Sequence, residues 1–240
     1  VNVSQVTQAD IPNTVPALGT FVAPDIVTIS SDVDGRVKSI HFKNGSKVTK
    51  GMPIINLDAE QAQADYNTAV TQYNLAKLKY ERYSSLGTDA VSGQELAGYK
   101  ADSDNAQQDV KNKQATLDQY TISAPFDGTL GSFLVNEGDH ISAGDALVTL
   151  VNTSQLRADY TIPEAYLPEL KKGQSAVITV SAYAKDTFYG TVSYVSPTVD
   201  KDTRTIAVQA LVDNAKGQLS PGMFIKVSQH ISDKKGALVV

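Results

Sequence analysis

The sequence of 240 residues contains no cysteine, which excludes disulfide bonds, thiolate metal sites and a cysteine nucleophile. Its two methionines are too few for a methionine-rich copper or silver site. The net charge is −5 and the basic residues are scattered, so the clustered basic face of a nucleic-acid-binding protein is missing. No stretch approaches 18 consecutive apolar residues, the length that would indicate a transmembrane helix. These absences favour folded, acidic domains that do not depend on thiol chemistry.

Motifs of catalysis are also missing. The three histidines, His41, His140 and His230, are far apart, and no two of them have the spacing of a metal-binding pair. The chain has neither a Gly-x-Ser-x-Gly elbow nor a phosphate-binding loop. We therefore predict that the protein is not an enzyme and that it uses no metal and no cofactor. The chain begins with Val1, which is compatible with removal of an export signal or a membrane anchor.

An internal repeat is the most informative feature that is present. Residues 34–57 recur without a gap at 127–150, ninety-three positions later. The matching residues are Asp34-Gly35 with Asp127-Gly128, Ser39 with Ser132, Gly45 with Gly138, Gly51 with Gly144, and Leu57 with Leu150. Each copy is too short to bury an apolar face alone. We therefore predict two halves of one β-sandwich, and the segment between them must leave the sandwich and return. We expect positive φ angles at six repeated glycines: Gly35, Gly45, Gly51, Gly128, Gly138 and Gly144.

The segment between the repeats, residues 58–120, has a helical pattern. Apolar or small residues alternate at spacings of three and four along two stretches, as in the seam of a coiled coil. The first seam is Ala59, Ala62, Tyr66, Ala69, Tyr73, Ala76, Tyr80 and Tyr83; the second is Leu96, Tyr99, Ser103, Ala106, Val110, Lys113, Leu117 and Tyr120. Asp58 with Gln61, and Ser92 with Glu95, have the spacing of capping boxes. The segment therefore predicts two antiparallel helices with a turn near 86–92, forming a hairpin that projects from the sandwich.

The remainder of the chain is rich in short strands. Strand patterns occur at 177–180, 189–195, 205–212 and 223–227, a short helix is expected at 163–172, and 11–23 also reads as a strand. We predict a mainly β fold with an inserted α-helical hairpin in a nested, elongated architecture. Its parts are a β-barrel (9–24 and 153–229), a split sandwich (25–57 and 121–152), the hairpin (58–120) and a partial membrane-proximal β unit (1–8 and 230–240). In the turn near 200–205 we expect Arg204 to pair with Asp200 or Asp202, with a main role in the shape of the loop.

The repeated halves resemble those of lipoyl and biotinyl domains, through the pattern Asp-Gly-x-Val followed by Gly-x-x-Val-x-x-Gly-x-x-Leu. A carrier of that kind bears its cofactor on a lysine between the halves, where this chain has the helical segment instead. The split arrangement resembles the periplasmic adaptors, or membrane fusion proteins, of bacterial RND-type tripartite efflux pumps. Three further stretches agree: Ala124-Pro125-Phe126-Asp127-Gly128; Leu170-Lys171-Lys172-Gly173-Gln174; and Val199 to Thr205, with its Thr-Arg-Thr end, followed by Leu219-Ser220-Pro221-Gly222-Met223-Phe224.

This resemblance implies a function in multidrug efflux. Such adaptors lie in the periplasm, anchored to the inner membrane, and join an inner-membrane RND-type transporter to an outer-membrane TolC-like channel. Several copies form a ring around the conduit. In the proton-driven branch an Arg, Leu and Ser motif at the hairpin tip docks on the channel, and the matching residues here are Arg82, Leu86 and Ser92. The interval from Leu86 to Ser92 is one residue shorter than is usual in that branch.

Other interpretations remain open from the sequence. In these alternatives Ser92 acts only as a helix cap, Arg82 is a solvated residue, and Leu86 contacts Leu96 and closes the hairpin. The acidic residues Asp102, Asp104 and Asp109 form either a solvated face or a contact between subunits. The alternative function is that of an adaptor for an ATP-driven exporter or a type I secretion system. A lipoyl or biotinyl carrier is a third hypothesis, which the missing lysine disfavours.

Overall fold

A computed structural model describes residues 7–86 and 92–239 of the chain. These residues divide into two compact units, one built from both chain ends (through Ile26 and from Val151) and the other from Val27–Leu150. Fourteen strands and two helices account for most of the described residues. The fold is mainly β with an inserted helical hairpin, as the sequence predicts.

The elements of the first unit form a closed barrel. Its strands are β1 (Thr7–Val22), β10 (Gln155–Pro163), β11 (Ser175–Val180), β12 (Phe188–Val199), β13 (Thr205–Asp213) and β14 (Phe224–Val239), in the order β1-β10-β13-β12-β11-β14. Every second residue of β10 is buried, from Leu156 to Ile162, as the two-residue period of a strand requires. The helix expected at 163–172 is a shorter 3-10 helix, Glu164–Glu169, which contains Pro168 and gives way to extended backbone at Leu170.

Strands β1 and β14 pair over most of their length. The described residues of the predicted terminal β unit, 7–8 and 230–239, continue these two strands, and Thr7 pairs with Val239. Near the other end of the pair Gly19 lies opposite Ile225 on one side and Tyr160 of β10 on the other. A separate membrane-proximal unit at the chain ends stays a prediction.

The second unit contains the β-sandwich. Its strands are β2 (Ile26–Ser30), β3 (Gly35–Ile40), β4 (Lys47–Val48), β5 (Pro53–Leu57), β6 (Thr121–Ser123), β7 (Gly128–Leu130), β8 (His140–Ile141) and β9 (Ala146–Val151). One sheet has the order β2-β9-β7-β4 and the other has the order β6-β5-β3-β8. Each strand of one sheet has a counterpart in the other sheet, and the two are ninety-three positions apart in the sequence. The residues on each side of the helical hairpin therefore contribute two strands to each sheet, and neither side forms a sheet alone.

The main-chain hydrogen bonds between the halves also occur as equivalent pairs, whose residues are ninety-three positions apart. The amide of Gly45 donates to the carbonyl of Leu130 at 3.0 Å, and the equivalent amide of Gly138 donates to Val37 at 2.8 Å. Gly45 and Gly138 have φ angles of 78° and 92°, so the repeated turn needs the left-handed conformation that glycine adopts without strain. Gly51 and Gly144 also have positive φ angles, of 82° and 92°.

The expectation of positive φ was wrong for Gly35 and Gly128. These two glycines begin strands β3 and β7 and lie outside the left-handed region. The aspartates that precede them, Asp34 and Asp127, form hydrogen bonds between the two halves. Asp127 accepts a hydrogen bond from the Lys50 amide at 2.7 Å, and Asp34 accepts the equivalent bond from the Ala143 amide at 2.8 Å. Each Asp-Gly pair therefore ties the start of its own half to a turn of the other.

The helical hairpin consists of α1 (Glu60–Ser85) and α2 (Gly93–Asp118). The residues of both predicted seams are the protected ones, and Ala62, Ala69 and Ser103 are buried. A capping box at the start of α1 was a wrong prediction. The cap position is Ala59, which provides no side-chain hydrogen bond, while Asp58 accepts only from the Glu60 amide at 3.2 Å.

The turn before β13 is shaped by hydrogen bonds to a carboxylate. Asp200 accepts from the amides of Asp202 and Thr203 and from the Thr203 hydroxyl, at 2.9–3.0 Å. These bonds, led by that of the Thr203 amide, lower the pKa of Asp200. Arg204 has a φ of 53° and makes no ion pair with either aspartate among the described residues, so the predicted pair was wrong. Its role in the shape of the loop fits its backbone conformation.

Candidate functional site: the tip of the helical hairpin

The three residues predicted to form a docking site all flank one end of the hairpin. Arg82 lies exposed in the last turn of α1, and Leu86 follows the helix with 55% of its surface exposed. Ser92 is the N-cap of α2. The predicted turn itself falls mostly on residues 87–91, which lie outside the described residues. The structure therefore brings the three residues to the same end of the hairpin without describing the loop that joins them.

Ser92 and Glu95 form the predicted capping box. The Ser92 hydroxyl accepts from the Glu95 amide at 3.2 Å, and the Glu95 carboxylate accepts from the Ser92 amide at 3.1 Å. The hydroxyl also donates to this carboxylate at 2.8 Å. The box satisfies amides that an uncapped helix end leaves without partners. It explains the presence of Ser92 on structural grounds and fixes where α2 begins.

Replacement of Ser92 by alanine is expected to destabilise α2 by about 1 kcal/mol, the usual value of an N-cap side chain. The loss should appear as faster amide hydrogen exchange in the first turn of α2, with the sandwich and barrel unchanged. Thr is a weaker cap that keeps the hydroxyl, so Ser92→Thr is the matched control. Equal exchange in Ser92→Ala and the wild type would contradict a capping role.

The capping box also predicts a pH dependence at the tip. The hydrogen bonds from the Ser92 side chain and backbone lower the pKa of Glu95 below its ordinary value of 4.5. A carboxyl whose pKa is lowered by folding stabilises the fold above its unfolded pKa, and this contribution is lost as the pH falls through the folded pKa. We expect the protection of the first turn of α2, measured as the exchange rate relative to the intrinsic rate at the same pH, to decrease on acidification below the unfolded pKa. In Glu95→Gln this decrease should be smaller, and an unchanged response would contradict the assignment.

Aromatic packing joins the two helices just below the tip. The rings of Tyr83 and Tyr99 stack with centroids 4.6 Å apart and an angle of 17°, and Lys79 Nζ lies 4.6 Å from the centroid of the Tyr99 ring. Such contacts add stabilisation beyond the burial of apolar area. The seam pattern of the sequence predicts that both tyrosines lie between the helices, but it does not predict their contact with each other or with Lys79.

The side chain of Arg82 has no ion pair with any other residue that the structure describes. Among the ion pairs of the described residues, the neighbouring Glu81 pairs with Lys77 at 3.9 Å, and none involves Arg82. The backbone carbonyl of Arg82 accepts from the Ser85 hydroxyl at 2.7 Å. Among the described residues, the tip therefore presents a guanidinium without an ion pair and an exposed leucine, close to the capped start of α2.

Apolar residues are also exposed on the outside of the barrel. Phe224 of β14 is 81% exposed and Leu18 of β1 is 71% exposed. Phe224 pairs with Thr20 and Leu18 pairs with Lys226, so the two apolar side chains are diagonal neighbours on paired strands. The Pro-Gly-Met-Phe stretch is recognisable in the sequence, but the outward orientation of its phenylalanine is not.

Across 7–86 and 92–239, no group of three or more His, Cys, Asp or Glu side chains is arranged to bind a metal ion. Neither of the helices in these ranges is long and apolar enough to cross a membrane.

A sandwich split by a helical hairpin, together with a closed six-stranded barrel, is the architecture of membrane fusion proteins. Residues 25–153 match the family described as "RND MFP, barrel-sandwich hybrid domain", and residues 158–232 match "CusB-like, beta-barrel domain". The first match alone covers more than half of the chain. The chain therefore belongs to the RND-type membrane fusion proteins, a family of adaptors rather than enzymes. Its homologues are periplasmic adaptors anchored to the inner membrane.

Individual relatives agree with this assignment. The chain is 30% identical to "Multidrug resistance protein MdtA" of Cronobacter turicensis, over 96% of this chain and 61% of the relative. It is 28% identical to a protein of the same name from Escherichia coli O139:H28, over 100% and 63%. An uncharacterized protein of Haemophilus influenzae matches at 28% identity over 88% and 56%. The chain thus spans 56–63% of the length of these curated relatives.

Solved structures support the fold. A MacA-MexA chimeric protein containing the Pseudomonas aeruginosa MexA α-hairpin domain aligns with a TM-score of 0.83 at 24% identity, over 99% of this chain and 88% of that one. A putative efflux transporter from Bacteroides eggerthii aligns with a TM-score of 0.79 at 23% identity, over 100% and 76%. At these identities the likeness concerns the fold alone.

Proposed function

We propose that this protein is the periplasmic adaptor of a proton-driven tripartite efflux pump. It would join an inner-membrane RND-type transporter to an outer-membrane TolC-like channel, and act by mechanical coupling without catalysis or cofactor. The observation that carries the proposal is the hairpin tip, where exposed Arg82 and Leu86 are presented on helices held by the Ser92 capping box. A guanidinium can form charge-assisted hydrogen bonds with carboxylates or carbonyls of a partner.

The cargo in this proposal is a range of drugs. Its support is the name shared by relatives that are 28–30% identical to the chain, "Multidrug resistance protein MdtA". The location that fits is the periplasmic side of the inner membrane, where the homologues are anchored.

The barrel is the part that we assign to the transporter. Its exposed Phe224 and Leu18 form an apolar pair on the outer surface, where a large aromatic side chain at 81% exposure gains nothing from the fold of its own unit. Aromatic residues are favoured anchors in the centres of protein interfaces. Several copies of the chain would surround the conduit as a ring.

Drug susceptibility tests this function directly. The gene is deleted from its host, and the full-length anchored protein is returned as wild type or as Phe224→Ser at matched expression. We expect deletion to raise susceptibility to several unrelated drugs, the wild type to restore resistance, and Phe224→Ser to restore it only partly. Full resistance with Phe224→Ser would contradict the proposal that this surface of the barrel binds the transporter. No change on deletion would overturn drug efflux and favour an ATP-driven or secretion adaptor.

A further inference from the structure

A cleft of about 970 Å³ lies at the base of the helical hairpin, within the unit that contains the sandwich. One wall belongs to the sheet that contains β3, β5 and β6, and the other wall is formed by the first turns of α1 and the last turns of α2. The volume is within the range of pockets that bind small molecules. The cleft is at the opposite end of the helices from Arg82, Leu86 and Ser92, so it is separate from the predicted docking site.

Asn56 lies in the middle of the sheet wall, on β5, and has an unmet requirement for a hydrogen bond. Ile55 and Leu57 on either side of it are buried in the sandwich, so Asn56 faces the opposite side of the sheet, where the cleft lies. Its side-chain oxygen, Oδ1, is buried and accepts no hydrogen bond within the described residues. A buried acceptor without a donor costs free energy. A ligand in the cleft that donates an N–H to this oxygen would remove that cost.

The amide groups of the helix wall do not supply the missing donor. Gln63 of α1 and Gln114 of α2 also line the cleft. They donate along their own helices instead, Gln63 to Asn67 Oδ1 at 3.1 Å and Gln114 to Asp118 Oδ1 at 2.7 Å. The acceptor of Asn56 is therefore left for a molecule that enters the cleft.

The internal repeat indicates that the fold does not require an asparagine at this position. The counterpart of Asn56, ninety-three residues later, is Thr149 of β9. Thr149 is half-buried like Asn56, but it is not among the residues that line the cleft. Threonine is favoured in strands, whereas asparagine is depleted in them. The residue type less suited to a strand therefore occupies the one of the two equivalent positions that faces this cleft.

The charges around the cleft favour a cation. The carboxylates of Glu60 and Asp118 line it together with one basic residue, Lys38, and none of these three forms an ion pair among the described residues. Glu60 is in the first turn of α1, where it balances the positive end of the helix dipole. Asp118 is the last residue of α2, whose last turn has no basic residue, so its charge adds to the negative end of that dipole. A cation beside Asp118 would offset both.

Apolar side chains complete the lining. Ala64, Leu117 and Tyr120 provide surfaces on which a ring or a short chain of a ligand can pack. We propose that this cleft binds a small organic cation that combines an N–H donor for Asn56, a positive charge near Asp118 and an apolar ring. The inference goes beyond the adaptor function and does not depend on the cargo of the pump or on any partner protein.

Proflavine, a planar aromatic cation with two amino groups, is a suitable probe, and fluorescence polarisation measures its binding to the purified full-length protein. We expect saturable binding to the wild type and roughly tenfold weaker binding to Asn56→Val, because a hydrogen bond to a charged ligand is lost. Thr149→Val, at the equivalent position outside the cleft, is the matched control and should bind as the wild type does. The thermal midpoint of Asn56→Val should equal or exceed that of the wild type, because valine favours the strand and removes the unmet acceptor. A loss of binding would then not reflect unfolding.

Substitutions of the charged residues test the sign of the ligand. Asp118→Asn should weaken the binding of proflavine and Lys38→Gln should strengthen it, each by about two- to fivefold. Spermidine, a cation without an apolar ring, should not displace the probe at equal concentration, and the anionic dye fluorescein should not bind. The inference would be overturned by the absence of saturable proflavine binding to the wild type, by equal affinities of Asn56→Val and Thr149→Val, by displacement with spermidine, or by saturable binding of fluorescein.

Discussion

Reversal of the charge of Arg82 is expected to lower drug resistance to the level of the deletion strain. In Arg82→Asp a carboxylate replaces a tip cation that has no ion pair among the described residues, so an acceptor on the channel would meet a like charge or lose its donor. The same change costs the hairpin little, because an acidic residue in the last turn of a helix is unfavourable by only about 0.3–1 kcal/mol. The minimum inhibitory concentrations of several drugs measure the effect.

Lys111→Asp is the control for this variant. It makes the same change of charge at an exposed position of α2 far from the tip, and it should leave resistance intact. Helical content and expression must match the wild type in both variants. Resistance retained by Arg82→Asp would remove Arg82 from the docking site, and equal loss in Lys111→Asp would indicate a general effect of charge on the hairpin.

Gly19→Ala is expected to be the most destabilising single substitution considered. A Cβ atom at this position would lie 2.2 Å from the carbonyl oxygen of Asp159 and 2.7 Å from Cβ of Tyr160, so β1 and β10 would have to separate. The cost should be about 3 kcal/mol, the upper end of the usual range for overpacking. Hydrogen exchange should accelerate in β1 and β10, and the thermal midpoint of the barrel should fall.

Gly98→Ala makes the same chemical change in open space and should act in the opposite direction. Alanine in a helix interior is more favourable than glycine by roughly 0.5–1 kcal/mol, so α2 should exchange more slowly in the isolated protein. If Gly98→Ala destabilises the protein as Gly19→Ala does, the close approach of β10 does not explain the loss of stability in Gly19→Ala.

The repeat and the heptad pattern made much of this fold accessible from sequence. Ile54, Ile55 and Leu57, together with their counterparts, were recognisable as core because each apolar residue recurs ninety-three positions later, and all are buried. The seams likewise identified the protected face of each helix. Ser92 with Glu95 could be recognised as a cap because both partners are local.

The remaining features depend on contacts that sequence spacing does not encode. Asp58 and Gln61 had the spacing of a capping box, but the helix begins at Glu60, beyond the reach of the expected pairing. Gly35 and Gly45 were both predicted to have positive φ angles. Only Gly45 of these two has one, because Gly35 starts a strand. Leu75 and Leu78 of α1 are 70% and 59% exposed, but the sequence did not single them out because one seam had already explained this helix. Their exposure is visible only once the face used within the hairpin is known.

The exchange of strands between the two repeated halves has a consequence for the order of folding. Neither sheet can form until residues on both sides of the hairpin meet, and β5 pairs directly with β6 from Pro53–Ser123 to Asn56–Thr121. In an unfolded chain this contact must close a long loop, and such non-local contacts slow folding. Formation of the helical pair brings the ends of α1 and α2 together and shortens the loop that remains to be closed. The hairpin would then serve the protein before any partner is present, as the local structure that lets its own sandwich assemble.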